Sequence, residues 1–83
     1  MDVRLTRKAA ADLERLPRVM KQRIQAVITR VRRWPDVSGV KPLTGALAGN
    51  YRIRTGDYRM QFMLRDNILW IVKIGHRDGF YED

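Results

Sequence analysis

The stretch Asn50-Tyr51-Arg52-Ile53-Arg54-Thr55-Gly56-Asp57-Tyr58-Arg59-Met60-Gln61-Phe62 constrains the fold more than any other part of the chain. Apolar and polar residues alternate on both sides of Gly56-Asp57, which is the period of a strand rather than a helix. A two-residue Gly-Asp loop closes such a pair into a hairpin. Thr55 then faces Tyr58, Arg54 faces Arg59, and Arg52 faces Gln61. One face carries Arg52, Arg54, Arg59 and Gln61, and the other carries Tyr51, Ile53, Met60 and Phe62. Like charges directly opposite each other on a sheet are destabilising. An arginine set against an arginine is a cost that a bound polyanion would offset.

The remaining segments supply partners for this hairpin. Val3-Arg4-Leu5 reads as a short first strand. Thr6 suits the N-cap of a helix over residues 7–16, with Ala9, Leu13 and Leu16 at helical spacing. Pro17 interrupts that helix and suits the first turn of a second one. Met20, Ile24, Val27, Ile28, Val31 and Trp34 follow one face of the second helix, and Pro35-Asp36 ends it. Two helices joined so tightly predict an antiparallel hairpin. Residues 35–49 form a connector in which Val40 to Leu43 can extend. Three strands follow at 50–55, 58–65 and 68–74, with Asp66-Asn67 as a second turn. The last is apolar at nearly every position, as expected of a central strand covered on both faces or facing a partner. The order β-α-α-β-β-β predicts a single α+β domain over residues 1–83. A two-helix hairpin covers one face of a mostly antiparallel four-stranded sheet. The arginine face is then exposed, and the last strand brings His76 and Arg77 to the corner beside Arg59. Tyr51, Tyr58, Trp34 and Trp70 read as packing residues.

Charge narrows the partner. Seventeen Lys and Arg stand against nine Asp and Glu, a net charge of +8, and thirteen of the cations are arginine. Arginine grips phosphate with two N–H groups at once and keeps its proton. The balance favours nucleic acid or an acidic protein surface as partner. The chain has no cysteine, so disulfides and thiolate metal sites are excluded and a reducing compartment is expected. A single histidine argues against a structural zinc site, and no metal or other cofactor is expected. No leader-like apolar segment opens the chain and no window suits a membrane span, so a cytoplasmic protein without a membrane partner is expected. A glycine-rich phosphate loop, a nucleophile elbow and a paired-carboxylate site are all missing.

The arginine corner suits phosphoryl chemistry. Guanidiniums stabilise charge on the equatorial oxygens of a phosphoryl group. RNA brings its own nucleophile, the 2′-OH, so the protein needs only to hold the phosphate and move a proton. Arginine is a poor proton acceptor, which leaves His76 and Tyr81 for that task. An aromatic ring such as Tyr81 can also stack on an unpaired base. The same basic face equally suits a plain nucleic-acid-binding module.

The motifs Lys41-Pro42-Leu43, Gly49-Asn50-Tyr51-Arg52-Ile53-Arg54, Tyr58-Arg59 and Ile74-Gly75-His76-Arg77 with Tyr81 together resemble the RelE/ParE superfamily of bacterial toxins from type II toxin–antitoxin modules. The resemblance covers almost the whole chain. It implies two helices on an antiparallel sheet. It also implies a RelE-like ribosome-dependent endoribonuclease that cleaves mRNA in the ribosomal A site without metal, leaving a 2′,3′-cyclic phosphate and inhibiting translation. By the same resemblance Arg59 and Arg77 hold the scissile phosphate. Tyr81 stacks on a base or assists proton transfer, with His76 as the other candidate. Arg52 and Arg54, beside Gln61, bind and orient the substrate. Arg52 and Arg54 depart from the lysine pair of several RelE-type toxins, which moves any general-base role toward His76 or Tyr81. The implied partners are a cognate antitoxin, the ribosome and mRNA, with a higher-order toxin–antitoxin complex on operator DNA. ParE-type members share the fold but inhibit DNA gyrase without nuclease activity, and that is the alternative activity.

Overall fold

The computed structural model describes residues 1–81. Strand β1 (Asp2–Leu5) leads into α1 (Arg7–Glu14) and α2 (Arg18–Val31). Strands β2 (Lys41–Pro42), β3 (Asn50–Thr55), β4 (Tyr58–Arg65) and β5 (Ile68–His76) follow. They form one sheet in the order β1-β5-β4-β3-β2. All pairings are antiparallel except that of β1 with β5, which is parallel. The helix pair carries the chain from β1 at one edge of the sheet to β2 at the other, and β5 comes to lie beside β1 only after β2, β3 and β4.

The sheet has five strands rather than the four expected from the sequence. The extra one is Lys41–Pro42, which pairs with Arg52 and Tyr51 along the outer edge of β3. Its hold is extended by the Leu43 N–H, which donates to the Asn50 carbonyl at 2.9 Å. Pro42 lacks an N–H and is tolerated there because an edge strand leaves one side unpaired.

Helix α1 begins where its cap predicts. The Thr6 hydroxyl accepts from the Ala9 N–H at 3.2 Å, satisfying one of the free amides of the first turn. Helix α2 starts just after Pro17 and ends at Val31, short of the expected Trp34. Pro35 disfavours helical geometry in the residue before it. The chain instead tightens, the Trp34 N–H reaching the Val31 carbonyl at 3.0 Å. Ala9, Ile24, Val27 and Val31 pack against Ile53, Met60, Phe62, Leu69, Ile71 and Ile74 to make the buried core. Trp34 closes its edge against Tyr51 and Phe62, with ring centroids 4.9 and 5.4 Å away.

The near-continuous apolar run of β5 has a specific cause. Gln61 pairs with Lys73, but the next residue, Phe62, pairs with Ile71, so Val72 is an extra residue in β5. Such a bulge shifts the alternation by one. Leu69, Ile71 and Ile74 can then all enter the core. Lys73, two residues from Ile71, comes to lie on the opposite face, directly across from Gln61.

Candidate functional site

The face of the sheet away from the helices is built in rows. The pairing sets Lys41, Arg52, Gln61 and Lys73 side by side on β2, β3, β4 and β5. A second row sets Arg54, Arg59 and Gly75 side by side on β3, β4 and β5. Neighbouring strands lie about 4.8 Å apart, so the guanidiniums of Arg52, Arg54 and Arg59 crowd one patch. The hairpin register is the one its alternation predicts, with Thr55 against Tyr58, Arg54 against Arg59 and Arg52 against Gln61. Only Gly56 of the first loop has positive φ, at +57°, which fits a type II′ turn. Asp66 and Asn67 both have positive φ, the signature of a type I′ turn.

The arginine face is not the open surface expected from the sequence. Arg52 retains only 8% of its exposure and Gln61 only 7%. The chain after β5 returns onto this face. Phe80 is buried over Gly75, where an added Cβ would stand 3.4 Å from its ring. The Lys73 ammonium lies 4.7 Å from the Phe80 ring centroid and donates to the Phe80 carbonyl. The Gln61 amide donates to the Asn50 side-chain oxygen at 3.0 Å, so this buried amide group has a partner.

Electrostatics distinguish the patch from an ordinary charged surface. Among the described residues no carboxylate pairs with Arg52, Arg54 or Arg59. The Arg59 Nε is buried without a hydrogen-bond partner. Burial holds the Arg52 guanidinium below the ordinary arginine range, and the charges of Arg59 and Arg54 push the same way. Tyr81 acts on Arg52 in the opposite sense. A lowered pKa on a base means that the charged form costs stability. That cost is fully present at neutral pH and is relieved only as pH rises through the lowered folded pKa toward the unfolded value. A bound anion relieves it without any change of pH.

Arg77 stands at the loop end of the patch. Its backbone N–H donates to the Asp57 carbonyl at 2.7 Å. Because Arg59 pairs with Gly75, the Arg77 backbone is a diagonal step from Arg59. The Arg77 Nε lies 3.9 Å from Asp57 and 3.7 Å from Asp78, exposed pairs that a phosphate can displace. His76 reaches the same corner but the other face, a correction to the convergence expected from the sequence. It pairs with Tyr58, which belongs to the helix side. The two rings meet edge to face at 5.4 Å. Its Nδ1 accepts from the Asp78 N–H at 3.1 Å. The physical reason is parity: Gly75 faces the arginines, so the next residue cannot.

Sequence reasoning missed Lys41, Lys73 and Phe80 as parts of this face. Lys73 is the one charged position in an apolar run, and that break was its only signal. Beyond the arginines, Met63, Ile68, Trp70 and Val72 line a groove of about 430 Å³ that Thr6, Arg65 and Asp66 complete. Arg4 stands 6.0 Å from the Trp70 ring centroid. Among the described residues no group of three or more His, Asp or Glu is placed to hold a metal. No described helix is long and apolar enough to cross a membrane.

This small α+β domain thus crowds guanidiniums with no carboxylate partner among the described residues onto one sheet face. The chain belongs to the ParE toxins of type II toxin–antitoxin systems, the family whose model matches residues 3–79, and thus to the RelE/ParE superfamily. It is similar to the toxin–antitoxin complex RelBE2 from Mycobacterium tuberculosis, with 30% identity, a TM-score of 0.80, and coverage of 92% of this chain and 96% of that one. The fold is also that of the isolated RelE toxin from E. coli, with 15% identity, a TM-score of 0.75, and coverage of 90% and 82%. The YoeB dimer from Staphylococcus aureus matches with 18% identity, a TM-score of 0.72, and coverage of 92% and 95%. No curated protein sequence matches the chain.

Proposed function

We propose that this toxin is a ribosome-dependent mRNA endoribonuclease, acting in the cytoplasm on mRNA in the ribosomal A site. The observation that carries the reading is the cluster of Arg52, Arg54 and Arg59, with no described carboxylate partner and a buried, unsatisfied Arg59 Nε. In this reading Arg59 and Arg77 grip the scissile phosphate, and Arg52, Arg54 and Gln61 orient the nucleotide that carries the attacking 2′-OH. The 2′-oxygen bonds to phosphorus, the bond to the 5′-oxygen breaks, and a 2′,3′-cyclic phosphate remains. A proton leaves the 2′-OH and another reaches the 5′-oxygen. Tyr81 and His76 are the titratable candidates, and Tyr81 is the one on the arginine side. Its ring also suits stacking on a base. The positive charge cluster supports a cognate antitoxin whose acidic segment covers this face, as part of a complex that also binds operator DNA.

Primer extension on translated mRNA after induction of the toxin tests this. Cuts at A-site codons are expected. Arg59→Ala and Arg77→Ala should abolish both the cuts and growth arrest while the protein stays folded, since neither belongs to the apolar core. Wild-type arrest without cuts would sink the proposal. The second reading is gyrase inhibition, supported by the match to the ParE toxin family. It predicts loss of supercoiling activity with mRNA left intact.

A further inference from the structure

The segment after β5 returns onto the open face through a set of contacts that converge on one residue. Gly79, at φ +75°, turns the chain back. Phe80 keeps 3% of its exposure, a core-like value for a residue beyond the last strand. It sits on Gly75, the only residue of β5 without a side chain to obstruct it. The ring is met by the Lys73 ammonium at 4.7 Å, and the same ammonium takes the Phe80 carbonyl as acceptor. One lysine thus touches both the backbone and the ring of the residue before Tyr81. The Tyr81 ring stands edge-on to Phe80, with centroids 4.9 Å apart. Gly75 lies in the row of Arg54 and Arg59, so this pair of rings sits at the arginine face.

We infer that Lys73 is a positioning residue, the clasp that holds Phe80 on Gly75 and thereby seats Tyr81 at the arginine face. Lys73 occupies the open face only because of the bulge at Val72. With Val72 in regular register, Lys73 would share the helix-side face of Ile71 and could not reach Phe80. The catalytic consequence rests on the ribonuclease reading; the clasp itself does not. Besides Lys73, the turn is held by the Phe80 N–H on the Arg77 carbonyl at 3.4 Å and by the seat on Gly75, and of these only Lys73 grips both ring and backbone of Phe80. In a ribonuclease a ring displaced by an ångström costs roughly 10²-fold in rate.

Toxin labelled with 3-fluorotyrosine tests the clasp directly, because the chain has three tyrosines. Tyr81→Phe assigns the Tyr81 fluorine signal. In Lys73→Met that signal should move to the position of free fluorotyrosine. Tyr51 and Tyr58, on the helix side of the hairpin, should keep theirs and so report that the fold is intact. Single-turnover cleavage on programmed ribosomes should fall roughly 10²-fold, with the half-saturating ribosome concentration unchanged. Lys73→Arg, which keeps a cation and a donor, should restore both signal and rate. A Tyr81 signal unmoved in Lys73→Met overturns the clasp, as does a Lys73→Arg toxin as impaired as Lys73→Met. If wild-type toxin leaves ribosome-bound mRNA intact, the ribonuclease reading falls, and the fluorine signals still decide the clasp.

Discussion

Asp12 shows how one buried side chain ties the helices to the sheet. It keeps only 4% of its exposure, and its Oδ2 accepts from the Ile74 N–H at 3.0 Å. Strand β1 ends at Leu5, opposite Ile71, so no strand remains to pair with β5 at Ile74. The carboxylate takes the place of the missing neighbour. Lys8 and Arg15 each donate to its Oδ1 at 2.9 Å from the solvent side. Those cations are half exposed or more, and such pairs contribute little. The bond to the backbone matters more, because breaking it strands a buried donor. Asp12→Ala should therefore cost about 2–4 kcal/mol in urea denaturation. Asp12→Asn, which keeps an acceptor oxygen, should cost less. A hint lay in the sequence, since Asp12 falls on the stripe marked by Ala9, Leu13 and Leu16. A polar residue on an apolar stripe does not say which backbone group it meets, and that depends on where β1 stops.

At the scale of elements, the hairpin of β3 and β4 was legible and the placement of β5 was not. Side chains alternate with period two, and a two-residue loop fixes the partner of every residue, so Arg54 against Arg59 follows from local chemistry alone. Gly56 carries that loop, with φ at +57°. Gly56→Ala should cost roughly 1–2 kcal/mol, the penalty for a side chain in left-handed geometry. Urea midpoints compared with wild type would show it. The added Cβ would meet only the end of the Arg23 side chain, at 3.3 Å, and that guanidinium can move aside. A mutant as stable as wild type would mean that the loop relaxes to another turn. The bulge at Val72 left no mark beyond a run of apolar residues, because bulged and regular strands share the same composition. It decides that Lys73 joins the arginine face. The parity of β5 likewise decides that His76 meets Tyr58.

For the whole molecule, four of the thirteen arginines, Arg52, Arg54, Arg59 and Arg77, gather at one end of a sheet face in a chain of net charge +8. Engagement of a single strand by Arg52, Arg54, Arg59 and Arg77 predicts a slope of log affinity against log salt of about −3, from roughly 0.7 for each of four phosphate contacts. Anisotropy of a labelled, 2′-O-methylated oligoribonucleotide, titrated across potassium chloride, measures it. Arg54→Ala should reduce the slope by about 0.7, and a slope near zero would remove the electrostatic argument for RNA. The amino-acid sequence by itself determined the α+β class, the capped helix α1, the two-residue Gly56-Asp57 loop and the pairing of arginines across β3 and β4. Each follows from periodicity and turn chemistry within a dozen residues. The tertiary structure decided the edge strand at Lys41–Pro42, the parallel pairing of β1 and the burial of Arg52 and Gln61. It also decided the return of Phe80 over Gly75. These depend on which distant segments meet, and that is settled by burial and hydrogen-bond satisfaction across the whole chain.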